Sequence, residues 1–190
     1  MLRMVLAGIL GGIVMFIWSA IAHTALPLGG VGLRELPSDA PIAALEAAAG
    51  QRAGLYYFPN REGPDGKLTE GRYAKKLETS AQGLIAYKPP GSQMLTPGQL
   101  IGEFALELVE ATILAFLLRF TVMHTIPGRI GYAAVIGAVV AITTNGSYWN
   151  WYGFPIDYTA AYAFTEWVGF VVAGATIAVV LNWARKTPAA

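Results

Sequence analysis

The chain of 190 residues has room for one domain, or one domain with an insertion, and contains no cysteine, which excludes disulfides, thiolate metal sites, iron–sulfur clusters and cysteine nucleophiles together. Its residues are 55% hydrophobic and only 13% charged, against about 25% charged in an ordinary soluble domain, and that shortfall points to lipid. A net charge of +1 and a pI near 8 leave no basic excess to attract nucleic acid.

The first apolar run, Met4 to Ala22, holds no charged residue and, at about 19 residues, suffices for a helix to cross roughly 30 Å of hydrocarbon. A cleaved signal peptide competes with that reading, because Arg3 precedes the run and Ala20-Ile21-Ala22 has the small-x-small form of a cleavage site. The run exceeds the usual signal core of about 7 to 15 residues, so residues 1–26 are expected to form a retained transmembrane helix.

Residues 27–99 differ in character. Between Pro27 and Gly98 lie eight Lys or Arg and seven Asp or Glu, a soluble-like density. Ala40 to Ala49 reads as a short helix opened by Ser38 or Asp39, with Pro41 in its first turn and Gly50 closing it. Leu55 to Phe58 and Leu84 to Tyr87 are short aromatic or β-branched runs bounded by Gly and Pro, and read as strands. The echo between GLYYFP and GLIAYKP makes them candidates to pair in one small sheet. Leu68 to Thr79 reads as a helix after the turn Gly63-Pro64-Asp65-Gly66. An α/β insert of this size holds itself together poorly and is expected to lean on the membrane bundle or on a partner.

Residues 100–190 carry three more apolar runs. Leu100 to Phe120 is interrupted by Glu103, Glu107 and Glu110 and closes with Arg119. Ile130 to Ser147 is rich in Gly and Ala, and Tyr158 to Trp183 carries only Glu166 before Arg185 and Lys186. The expected fold is therefore an all-α integral membrane bundle of four transmembrane helices, with a small α/β extracytoplasmic insert between the first and second. With the N-terminus inside, Arg3, Arg119, Arg129, Arg185 and Lys186 all fall on the cytoplasmic side, so both termini are expected there and residues 27–99 outside. The halves do not mirror one another as an inverted-repeat transporter requires.

The stretch YWNWYGFP then falls at the outer end of the third span and in the turn before the fourth. Tyr148, Trp149, Trp151 and Tyr152, with Trp167 and Trp183, read as interfacial aromatics, whose rings prefer the acyl boundary while their NH and OH groups reach water. A sharper alternative turns Asn145, Ser147 and Asn150 inward, with the rings closing one wall of a pocket.

Glu103, Glu107 and Glu110 lie within about 60° of arc on one helical face. Carboxylates are costly in hydrocarbon, so this face should look into protein or water. Counting about 1.5 Å per residue from Arg119 puts Glu110 near mid-membrane, Glu103 near the outer interface and Glu107 between them. The same count brings His23, about 30 Å beyond Arg3, and Glu166, about 25 Å before Trp183, to the outer third. The candidate ligand- or ion-binding set is thus His23, Glu103, Glu107, Glu110, Glu166, Asn145 and Asn150. His23, Glu107, Glu110 and Glu166 are the candidate ligands for a hard or borderline divalent cation, and the same carboxylates could carry protons. The bland alternative is that Glu103 complements the positive end of its helix and the others hydrogen bond to neighbouring helices.

His23 and His124 fall on opposite sides of the membrane, roughly 30 Å apart, so one protomer supplies no His pair for haem. The CXXCH motif of covalent haem is likewise excluded by the missing cysteines. No Gly-rich phosphate loop, Ser/His/Asp signature or HExxH occurs, and His124 reads as a polar residue of the inner loop. Gly8 with Gly12, Ala134 with Ala138, and Gly169 with Ala173 are spaced to let helix backbones approach closely.

The segments GILGGIVMFIWSAIAH, GLYYFP, GLIAYKPPG and YWNWYGFP together resemble an uncharacterised family of short bacterial inner-membrane proteins. The resemblance implies a shared fold and topology, and no catalytic residue. Three functions remain open. The first is a noncatalytic subunit or binding protein in the bilayer, packing in a larger membrane complex or homo-oligomer. The second is a cation or proton carrier or sensor, and the third, ranked last for want of a nucleophile, an enzyme acting on lipid or quinone.

Overall fold

The computed structural model describes residues 1–61 and 70–186, with side chains to 183. The expected turn at residues 63–66 and the first residues of the Leu68 to Thr79 helix lie outside the described residues. The protein is mostly helical, with one two-stranded sheet, and divides into two compact units, Met1–Leu33 with the chain from Leu95 onward, and Arg34–Met94.

In the smaller unit, α2 (Ala40–Ala49) has Pro41 in its first turn and stops at Gly50, whose φ of +59° suits a residue without Cβ. Strands β1 (Gly54–Phe58) and β2 (Gly83–Tyr87) pair antiparallel with Tyr56 opposite Ile85, so the echoed segments do form one sheet. Helix α3 (Glu70–Leu77) occupies most of the described part of the expected helix but stops two residues short of Thr79, and Lys76 Nζ ties it to the Asn60 carbonyl at 2.9 Å. Tyr87 is buried, and its hydroxyl donates to the Gly50 carbonyl at 2.9 Å, fastening the sheet to the end of α2. Removing that hydroxyl leaves a carbonyl without its donor. Tyr87→Phe is expected to destabilise this unit by about 1 kcal/mol, read as faster amide exchange across β1 and β2, whereas unchanged exchange would show that the bond carries no stability.

The larger unit is a helical bundle. Helix α1 (Leu2–Thr24) contains no acidic residue and only Arg3 and His23 at its ends. Helix α4 (Pro97–Phe120) opens with a reciprocal cap, in which Thr96 accepts from the Gln99 amide at 3.2 Å and the Gln99 side chain accepts from the Thr96 amide at 2.9 Å. Helix α5 (Ile126–Ala141), capped by Thr125, passes through a π turn (Ile142–Gly146) into α6 (Ser147–Tyr152). Gly153, left-handed at φ +69°, ends it, and α7 (Ile156–Lys186) returns. The third apolar helix therefore runs on through YWNWY to Tyr152, past the Ser147 boundary expected from sequence, and only Gly153-Phe154-Pro155 forms the turn.

Three stretches are long and apolar enough to cross a membrane, namely Leu2–Thr24, Ile126–Tyr152 and Ile156–Trp183. Helix α4, at 24 residues, is as long, but carries Glu103, Glu107, Glu110 and Arg119. Interhelical contacts fix an antiparallel register. Gly8 meets Thr112, Gly12 meets Leu108, and the Phe16 and Phe104 rings meet edge to face at 5.3 Å, so α1 and α4 run side by side along their length. Helix α7 packs against both α1 and α5. Small residues fill the seams, with Ala7, Ala111, Ala115, Ala133 and Ala173 fully buried, while Ile13, Ile17, Val109, Ile113, Phe116, Val135 and Val139 are exposed. Small residues inside and large apolar ones outside is the arrangement of helices packed in lipid, where burial of apolar surface does not drive association. Gly8, Gly12, Gly169 and Ala173 sit at these contacts as expected. On α5 the seam is instead Ala133, Gly137 and Ala141, one residue before the expected Ala134 and Ala138, because Phe170 presses on Gly137 and Gly174 on Ala133.

Candidate functional site

A cavity of about 640 Å³ opens in the bundle unit with α1, α4 and α7 around it, and His23, Glu103, Glu107, Glu110 and Glu166 all line it. Helix α4 brings three of the glutamates because spacings of four and three keep them on one face. The Gly12–Leu108 contact sets Glu107 level with the middle of α1. Glu107 is only 6% exposed, and its Oε2 atom has no hydrogen-bond partner among the described residues. Ser19 of α1 lines the same cavity. Glu103 and Glu110 are exposed and Glu166 is half-buried. Among the described residues, no three His, Asp or Glu side chains come close enough together to hold a metal ion, so the candidate set His23, Glu107, Glu110 and Glu166 shares a cavity without forming a coordination sphere.

Asn145, buried in the π turn, is brought to this site indirectly. Its Nδ2 donates to the Ala141 carbonyl at 3.1 Å and to Glu166 Oε2 at 2.6 Å. The wider turn loosens the α-helical hydrogen-bond ladder there and lets a side chain supply a donor. Asn150 is exposed and does not line the cavity. His23 Nδ1 donates to the Ser19 carbonyl at 2.9 Å, which leaves Nε2 as the acceptor in the neutral ring.

The aromatic stretch faces outward, with Tyr148, Trp149, Trp151 and Tyr152 all exposed. Rings nevertheless lead from it to the cavity. Tyr148 meets Phe154 at 5.3 Å, Phe154 meets Tyr158 at 5.3 Å, Tyr158 stacks on Tyr162 at 4.3 Å, and Tyr162 stands edge-on to His23 at 5.9 Å. Trp183 is exposed near the far end of α7, whereas Trp167 lies roughly 16 Å along that helix from Ile156 and donates its indole NH to the Ala134 carbonyl at 3.0 Å.

Sequence reasoning did not single out Trp18, Ser19, Tyr162 or Thr165. The Trp18 indole NH donates to the Thr165 carbonyl at 2.9 Å, joining α1 to α7 beside the cavity. Their one sequence signal was polarity within apolar runs. The arrangement gathers four acidic side chains beside Phe16, Trp18 and Tyr162, a setting that suits a cation with an apolar body. No protein-family model, curated protein or solved structure matches the chain, so the family resemblance rests on its sequence motifs alone.

Proposed function

We propose that the protein is a noncatalytic integral membrane binding protein whose carboxylate cavity takes up an organic cation. The observation that carries this reading is the buried Glu107 oxygen without a partner, in a cavity shared with three more glutamates. A desolvated carboxylate is costly until a cationic donor meets it. In this reading α4 is also a span, the second of four, since its register lays it alongside α1 for most of its length. Both termini are cytoplasmic in a bacterial inner membrane and residues 27–99 lie outside, supported by the five cations at the short flanks.

The test is equilibrium binding of tetraphenylphosphonium to the purified full chain in neutral detergent. Saturable binding is expected, weakened on the order of tenfold or more by Glu107→Gln, as for loss of a charge-assisted contact, with circular dichroism unchanged. Absence of saturable binding, or equal binding by the variant, would sink the reading.

A second reading, an accessory subunit of a larger complex, is favoured by the thin core of the 34–94 unit, where Ala49 and Tyr87 are the buried residues among those described. Native mass spectrometry of protein gently extracted from its membrane separates the two. A stoichiometric partner supports the subunit, and a retained small cation supports the binding protein.

A further inference from the structure

The polar atoms around the carboxylate cavity are unevenly committed. The Trp18 indole NH and the Thr24 and Thr165 hydroxyls, all on its wall, donate to the backbone carbonyls of Thr165, Ala20 and Ala161 at 2.9, 2.7 and 2.9 Å. Acceptors are left over. Glu107 Oε2 has no hydrogen-bond partner among the described residues although its side chain is 6% exposed, and His23 keeps Nε2 as the acceptor of its neutral ring. A buried carboxylate oxygen without a donor is costly, and an ammonium group, which carries donors and no acceptor, is the cation that relieves it. A quaternary or phosphonium centre brings charge to the same place but no donor.

The other carboxylates are strung out rather than gathered. Along α4 they lie four and three residues apart, so Glu103 stands about 6 Å from Glu107 along the axis and Glu110 about 4.5 Å from it on the other side. Glu166 reaches the cavity from α7, where Asn145 Nδ2 donates to its Oε2. Among the described residues no three His, Asp or Glu side chains come close enough to hold one metal ion, so the row has no single focus for a compact charge. Met15, Phe16, Leu100 and Leu106 give the same space apolar walls. An aliphatic chain with ammonium groups separated by roughly three or four methylenes spans such intervals when its torsions are staggered and extended, and its methylenes lie on apolar surface as a lysine stem does. We propose, resting on the reading of this cavity as an organic-cation site, that its ligand is a linear aliphatic oligoamine, with one ammonium group buried on Glu107 and the next on Glu103 or Glu110.

The full chain in neutral detergent, at fixed ionic strength, is titrated calorimetrically with spermidine, butylammonium, tetraphenylphosphonium and magnesium chloride in turn. Spermidine is expected to bind saturably and on the order of tenfold or more tighter than butylammonium, as for an added charge-assisted contact. Glu103→Gln is expected to narrow that ratio, and the Glu103→Gln/Glu110→Gln double variant to make the two amines bind alike. Both side chains are exposed, so these variants are expected to fold. Binding of tetraphenylphosphonium without binding of spermidine overturns the oligoamine and leaves the organic-cation reading standing, whereas no binding of any organic cation overturns both. Spermidine no tighter than butylammonium, an unchanged ratio in the double variant, or magnesium matching spermidine also overturns the proposal.

Discussion

Gly12→Leu is expected to cost about 3 kcal/mol, at the upper end for an overpacked interior, and to remove most folded, monodisperse protein from a detergent extract. A Cβ at residue 12 would stand 2.8 Å from Leu108 Cα and 3.2 Å from the Glu107 carbonyl oxygen. Both are backbone atoms of α4, so no rotamer change relieves the clash and the helices must separate. The control is Gly131→Ala, where nothing lies within 4 Å of the added carbon and helix propensity favours the variant by up to about 1 kcal/mol. Thermal unfolding and size-exclusion profiles decide the matter. An unchanged midpoint in Gly12→Leu would mean that α1 and α4 do not meet in this register. Since Glu107 sits beside the contact, tetraphenylphosphonium binding should fall with the packing.

Asn182→Leu is expected to be nearly as damaging, at about 2–3 kcal/mol. It removes the 2.7 Å acceptor of the Arg129 guanidinium, which is 1% exposed, and leucine offers nothing in its place. Asn182→Asp retains an acceptor at the same reach and should recover most of the loss. Equal Tm values for Asn182→Leu and wild type would show that Arg129 is held by its other contacts alone.

Much of the helical pattern was legible in the sequence because lipid imposes long uncharged runs and because Gly and Pro punctuate the insert. Ala40–Ala49 matches its expected bounds, and the two strands begin one residue early, at Gly54 and Gly83. The end of the third helix was less legible. Its π turn carries the chain on to Tyr152, and local propensity does not announce such a turn. The α5 seam shifted by one residue for a different reason. Ala133, Ala134, Gly137 and Ala138 are all small, and the contacts with Phe170 and Gly174 select which pair faces α7.

At the cavity, the three glutamates of α4 could be placed together because helical spacing is internal to one element. His23 and Glu166 joined them through depth counting, which requires only helix rise. Asn145 and Asn150 could not be told apart, since which of them faces α7 depends on the turn between α5 and α6. Ser19, Trp18 and Tyr162 went unnoticed because spacing along one helix says nothing about which face of a neighbour it meets. Arg129 entered the sequence reading only as a marker of sidedness, although its burial and its bond to Asn182 make it a structural centre of that end.

The π turn at Ile142–Gly146 also sets an azimuth. A π turn accommodates one more residue than the regular helix would, and each residue advances a helix by about 100°. Every side chain of α6 therefore points about a quarter-turn away from where an unbroken continuation of α5 would send it. The compass bearing of Tyr148, Trp149, Trp151 and Tyr152 around the bundle is thus encoded just upstream, in a segment that itself contains no aromatic residue. A single-residue deletion there would rotate the whole girdle without altering its composition, and would unseat Asn145 from Glu166 in the same stroke.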